Sequence, residues 1–251
     1  MSTIKKAFKV LQVFLDNKCQ LSVSELADYS GLNINSVYRI TALLRDEGFL
    51  SQQNKRGKYS PGPKFLEFGN LARDMLNIED LSRPYMTKMN NLINENVHIA
   101  ILDGEKAVII ANIDGTQALR IVTELKADLP LFATGVGQVL LAHMTEVELN
   151  RYFAKMPKLQ AYTSNTVTDQ DELAKRLLKI RQESIACERA EYASGIVNIA
   201  APIKNEIGRV VAVLGILIPE PRATDKQIAK LITLAGNTAM EISSALGYNS
   251  H

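Results

Sequence analysis

Leu21-Ser-Val-Ser-Glu-Leu-Ala-Asp-Tyr-Ser-Gly-Leu-Asn-Ile-Asn-Ser-Val-Tyr-Arg-Ile-Thr-Ala-Leu-Leu-Arg-Asp-Glu-Gly48 reads as two short helices joined by a glycine turn. Ser22 and Glu25 have capping-box spacing, with Leu21 and Leu26 placed as a hydrophobic staple. Gly31 stands where a helix C-terminus wants a left-handed residue. Asn33 caps a second helix over 34–47, and Leu32 and Val37 repeat the staple. On that helix Val37, Ile40, Thr41 and Leu44 share one face, while Asn35, Tyr38, Arg39 and Ala42 share the opposite one. Gly48 stops it, and 49–53 can pair with 58–60 as a hairpin around Asn54-Lys-Arg-Gly57. This spacing predicts a winged helix-turn-helix, whose second helix enters the DNA major groove.

The outward face is polar and carries a cation, as base readout requires. Ser36, at the seam, is better placed for a phosphate. The candidate DNA contacts are Ser22 and Asn33 at the helix starts, Asn35, Ser36, Tyr38 and Arg39 on the second helix, and Lys55, Arg56 and Lys58 on the wing. An αα-hairpin in an ordinary helical core would share the caps and the turn. The charge distribution favours DNA. Residues 1–64 hold ten Lys/Arg and five Asp/Glu, net +5; residues 65–251 hold nineteen and twenty-two, net −3. A chain of net charge +2 therefore places a basic head on a slightly acidic body, the footprint of a module that neutralises phosphates.

At 251 residues, 46% hydrophobic and 6% aromatic, the chain suits one large or two modest domains with an aliphatic core. No run approaches the ~18 apolar residues of a membrane span, and the two early lysines precede no long apolar stretch. Cys19 and Cys187 are isolated, which points to a reducing cytoplasm rather than a disulfide framework. With only His98, His143 and His251 besides, no metal-ligand spacing emerges, and no metal or cofactor is expected.

Ser60-Pro-Gly-Pro63 punctuates the chain. Residues 64–76 then read as a linker helix with Phe65, Phe68, Ala72 and Met75 in one stripe, a dimer or interdomain seam. The expected domains are 1–62, a linker over 63–77, and 78–251. In the last, helices are expected at 79–95, 136–156, 169–183 and 225–246. Strands are expected at 97–103, 106–113, 118–125, 185–192, 197–204 and 209–218, with Asp103-Gly104 as a hairpin turn. Hairpins, then helices, then more hairpins predict an α+β architecture with an antiparallel sheet flanked by helices.

Four stretches together resemble the IclR family of transcriptional regulators: Leu32-Asn-Ile-Asn-Ser-Val-Tyr-Arg39, Lys58-Tyr-Ser-Pro-Gly-Pro63, Leu129-Pro-Leu-Phe-Ala-Thr-Gly-Val-Gly137 and Gly195-Ile-Val-Asn-Ile-Ala-Ala-Pro202. Their order and separation fit from about residue 4 to 247. The resemblance implies a GAF-like effector domain, a palindromic operator, a dimer or dimer of dimers, and a small effector that is often a carboxylate. It implies a ligand-responsive regulator, read here as the repressor of a catabolic operon.

Ala133-Thr-Gly-Val-Gly137 opens a helix, and bare N–H groups there suit an anion. It is no nucleotide fingerprint, since no third glycine and no Gly-Lys-Ser/Thr follow. The resemblance places the effector at Ala133, Thr134, Gly135 and Val136. It adds Glu188, Asn198, Gly215 and Leu217 as pocket positions and Ile121, Leu129 and Ile196 as apolar walls. Members that bind very small keto acids tend to carry Asp, Cys and two serines where this chain has Glu188, Asn198, Gly215 and Leu217. That departure implies a ligand with one anionic end and an apolar or hydroxylated body. Two alternatives stand beside this reading: an enzyme using Cys187 with His98 or His143 as base, and an architectural DNA-binding protein without a ligand. Against the first, a lone Cys in a strand is more often a small buried hydrophobe.

Overall fold

The sequence pattern of residues 3–17 matters first, because it builds a helix absent from the expectations above. Ala7, Val10, Leu11 and Phe14 repeat at i, i+3, i+4 and i+7, and α1 (Thr3–Asn17) buries Val10, Val13 and Phe14. The computed structural model describes residues 2–17, 19–52, 54, 57–75, 77–156 and 158–249, excluding the side chains of 70 and 72–75. It falls into two units, 1–76 and 77–251.

In the first unit, α2 (Val23–Ser30) starts at a full capping box: the Glu25 N–H donates to Ser22 Oγ and the Ser22 N–H to Glu25 Oε2. It ends at Gly31, whose φ of 60° any L side chain would resist. Helix α3 (Ile34–Asp46) follows, with Asn33 Oδ1 accepting the Asn35 N–H at 2.9 Å. Strands β1 (Leu50–Gln52) and β2 (Tyr59–Pro61) pair antiparallel, and Leu21 bridges to Tyr59 as a third strand would. Leu21, Leu26, Val37, Ile40, Leu50 and Tyr59 join the α1 residues in one core. Helix α4 (Lys64–Met75) carries the expected stripe in part. Phe65 and Phe68 rest on the Phe49 ring, at centroid separations of 5.4 and 5.7 Å, so they pack within their own unit. The side chains of Ala72 and Met75 lie outside the described ones.

The second unit is α+β. Helix α5 (Ile78–Ile93) leads into β3 (Asn96–Asp103) and β4 (Lys106–Ile113), then β5 (Asp128–Pro130). Helices α6 (Gly135–Ala142), α7 (Glu146–Lys155) and α8 (Gln170–Glu183) precede β6 (Ala186–Arg189), β7 (Ile196–Lys204) and β8 (Val210–Pro219), and α9 (Asp225–Ala245) closes the unit. The strands form one antiparallel sheet in the order β5-β4-β3-β8-β7-β6.

One sheet face is large and aliphatic: Val97, Ile99, Val197, Ile199, Leu214 and Ile216 meet Met86 and Met89 of α5 and Leu231, Ala235 and Ile242 of α9. The other face carries Ala100, Ala107, Ala186, Ala200 and Val213, which lets α6 approach closely with all eight of its residues buried. Each large aliphatic side chain so buried stabilises the fold by about 1.5–3 kcal/mol.

Two expectations are corrected. Residues 118–125 form a loop, not a strand: Leu119, Val122 and Leu125 stand 60, 60 and 55% exposed, and the short β5 takes the β4 edge instead. Side chains satisfy the loop backbone, with Arg222 donating to Leu119 O and Asn112 to Thr123 O. The helical block 136–156 is two helices, because Thr145 and Glu148 form a second capping box that starts α7 afresh. No helix among the described residues is long and apolar enough to cross a membrane.

Candidate functional site

The outward face of α3 is set by its inward one. Val37, Ile40 and Thr41 are buried, so Asn35, Tyr38 and Arg39 point away from the core; Tyr38 is 63% exposed. Ser36 is half-buried at the seam. Arg39 has no ion-pair partner among the described residues. Three candidates are committed locally. Ser22 and Asn33 are helix caps, and the Ser22 side chain is also bonded to the Glu25 carboxylate. Lys58 Nζ pairs with Glu25 Oε1 at 2.9 Å, so it is not a free cation. The Ser22 N–H, then Lys58, hold the Glu25 carboxyl down at about 2. Lys55 and Arg56 lie outside the described residues.

In the second unit, sheet register assembles a cavity of about 330 Å³ on the α6 side. Glu188, Asn198 and Leu217 sit side by side across β6, β7 and β8. One pleat along, Ala200, Gly215 and His98 line up across β7, β8 and β3. The loop 121–124 and Leu129 form the apolar side, with Thr134, Tyr192 and Ile196 closing it.

Gly215 is glycine because His98 needs its space: a Cβ there would overlap the imidazole at Nε2 and Cε1. A Cβ on Gly135 would likewise overlap the Asn198 side-chain oxygen. His98 is fully buried and Asn198 nearly so, and His98 Nε2 and Asn198 Oδ1 have no hydrogen-bond partner among the described residues. His98 Nδ1 lies 3.0 Å from Asn96 Oδ1, while Asn96 Nδ2 donates to Asp114 Oδ1 at 2.7 Å and Thr123 Oγ1 at 3.2 Å. Burial pushes the imidazole pKa down to about 4, so His98 is neutral at physiological pH.

Glu188 Oε1 accepts the N–H groups of Glu191 and Tyr192. Burial outweighs those bonds and pushes its pKa up to about 7. Glu191, beneath it, is raised by burial and opposed by its Arg176 partner, and Gln138 Nε2 donates to it at 3.0 Å. No Lys or Arg lines the cavity among the described residues.

Of the effector positions expected from sequence, Ile121, Leu129, Thr134, Glu188, Ile196, Asn198 and Leu217 line this cavity. Ala133, Gly135, Val136 and Gly215 do not. They are buried one layer down, Gly135 against Asn198 and Gly215 against His98 and Val136. His98, Thr123 and Tyr192 were not expected there. His98 had a readable signal: a lone polar residue inside the apolar run Val97-His-Ile-Ala-Ile101 of a doubly covered strand must be satisfied or be functional. Cys187 is exposed on the edge strand β6 and is not the buried hydrophobe expected.

Residues 3–54 match the IclR helix-turn-helix domain, and residues 71–244 match the bacterial transcriptional regulator IclR C-terminal domain. The HTH-type transcriptional regulator KipR of Bacillus subtilis (strain 168) is 31% identical over 246 residues, covering 98% of this chain and 97% of its own. The HTH-type transcriptional repressor AllR of Escherichia coli (strain K12) is 27% identical over 248 residues, covering 99% and 91%. Among solved structures, Thermotoga maritima IclR is 31% identical, with a TM-score of 0.65 over 98% of this chain and 99% of its own. The Agobacterium tumefaciens repressor BlcR shares the fold at a TM-score of 0.85 and 23% identity, covering 99% and 98%.

Proposed function

The chain belongs to the IclR family and is a DNA-binding transcriptional regulator, and from that premise we propose that a small carboxylate in the cavity sets its affinity for an operator. One observation carries the effector part: two polar side-chain atoms, on His98 and Asn198, are buried in the cavity lining without partners. An unsatisfied buried polar atom costs about 1–3 kcal/mol, so a lining that holds two of them suits an occupant that meets them. The acid end belongs at Thr134, over the first turn of α6. Gly135 and Val136 are buried behind that lining, so what α6 offers the ligand is the positive end of its dipole, which favours an anion. The hydrophobic walls Ile121, Leu129, Ile196 and Leu217 take the body of the ligand.

At the DNA end, Arg39 and its neighbours on α3 read bases, with Ser36 and Lys55 on phosphates. One such helix reads only a few base pairs. We therefore expect a homodimer or a dimer of dimers on a palindromic operator. AllR and BlcR are named repressors, and we carry that sign over: a repressor of a catabolic operon, released by its effector. The test is a thermal-shift screen of small carboxylates, followed by operator binding with and without each hit. A ligand of the native state at a hundredfold excess over its Kd stabilises by about 2.7 kcal/mol. Hits that leave operator affinity unchanged would sink the regulatory reading, and the absence of any acid hit would sink the carboxylate.

A further inference from the structure

Resting on the effector reading above, we propose that His98 is the specificity-determining residue of the cavity: its bare Nε2 selects an acid that also carries a hydroxyl, over the keto or unsubstituted acid of the same skeleton.

The tautomer follows from a chain of hydrogen bonds that starts at a carboxylate. Asp114 Oδ1 can only accept, and it takes bonds from both Asn96 Nδ2 and Asn112 Nδ2. That fixes the Asn96 amide with its nitrogen toward Asp114 and Thr123 and its oxygen toward His98. Facing an oxygen acceptor at 3.0 Å, His98 Nδ1 must hold the proton. The other ring nitrogen, Nε2, is then a lone-pair acceptor. His98 lines the cavity with its ring packed on Gly215 behind it, and Nε2 is fully buried without a protein donor.

A ligand carbonyl oxygen brought to Nε2 would set two acceptors against each other and leave both unsatisfied. A methylene would leave Nε2 as it is. A hydroxyl supplies the missing proton at Nε2, and a second hydroxyl would supply one to Asn198 Oδ1. An ammonium could also donate, but the burial that keeps the imidazole neutral disfavours a charged group beside it as well. Glu188 lies across the lining from His98 and accepts further hydroxyls through the carboxyl oxygen not used by the Glu191 and Tyr192 amides. The wall formed by His98, Asn198 and Glu188 therefore asks for donors.

Histidine-15N-labelled full-length protein tests this directly, since it holds three histidines, at 98, 143 and 251. The free protein should show His98 protonated on Nδ1 and bare on Nε2 throughout the neutral range; a proton on Nε2 overturns the proposal. The probes are butyrate, 2-oxobutyrate, 2-aminobutyrate, 2-hydroxybutyrate, 3-hydroxybutyrate and gluconate at millimolar concentration. At least one hydroxylated acid should bind about three- to tenfold tighter than butyrate and 2-oxobutyrate, the span of one net hydrogen bond, and move the Nε2 resonance. In His98→Phe the ratio of hydroxy-acid to butyrate affinity should fall to about one, whatever the absolute affinities. If butyrate binds as tightly as every hydroxy acid, or 2-aminobutyrate outranks them, the carboxylate reading stands and this proposal falls alone. If no acid binds, both fall.

Discussion

On α3 the polar side chains stand in solvent, with Tyr38 63% exposed and Arg39 beside it, over a buried face of Val37, Ile40 and Thr41. In the cavity the arrangement is inverted: His98 is fully buried, Asn198 is 4% exposed, and the glycines at 215 and 135 make room for them. An exposed polar face is already hydrated, so it can wait for DNA at no cost to the fold. A buried polar atom without a partner lowers stability until something meets it. The first region should therefore tolerate substitution in stability and lose only binding. The second should couple binding to stability.

The largest effect expected lies under the loop that covers the cavity. Arg222 pairs with Glu95, whose side chain is 5% exposed, and also donates to Leu119 O at 3.1 Å. Arg222→Ala strands a buried carboxylate and should destabilise the second unit by about 3–5 kcal/mol in urea denaturation. A loss well under 1 kcal/mol would mean that water already screens the pair. Arg39→Ala is its counterpart on the DNA side. It should weaken operator binding by about 1–3 kcal/mol if it reads a base edge, with no change in melting temperature. Unchanged affinity in a folded protein would take the recognition role from α3.

Glu188→Gln sharpens the contrast through pH. The folded carboxyl sits near 7 against 4.5 for the free group, so the native state binds the extra proton between those values and stability falls as pH rises through them. Removing the charge should stabilise the protein by about 3 kcal/mol above pH 7 and by nothing below pH 4.5. Equal stability of the two proteins at pH 8 would show that Glu188 is solvated. The smallest effect expected is Ser22→Ala, which breaks the capping box of α2 and should cost about 1 kcal/mol, read as a lower melting temperature of the first unit.

The same contrast explains what could be read from sequence. Caps, a glycine turn and a 3.6-residue period are local signals, and they located α2, α3 and the wing; α1 had the same signal in Ala7, Val10, Leu11 and Phe14. Five of the six strands of the second unit were legible from apolar runs; β5 was missed, and the strand expected at 118–125 is a loop. There the β-branched Ile121-Val-Thr123 was outweighed by side-chain anchors from Asn112 and Arg222, which no local pattern encodes. The cavity was legible only through family resemblance. Its rows depend on register between strands far apart in sequence, as when His98 meets Gly215. The Asp114–Asn96–His98 chain spans a hairpin, and its meaning is visible only once β3 and β4 are paired.

The claim that one region holds DNA while the other sets its grip is tested most directly by one titration. Operator affinity is measured against the concentration of the acid that most stabilises the protein, for the wild type and for Asn198→Leu. The account predicts equal affinities without acid, a several-fold change on titrating the wild type, and a flat or strongly right-shifted curve for the variant. An acid that stabilises the wild type yet leaves its operator affinity constant, or an Asn198→Leu protein that responds as the wild type does, would contradict it.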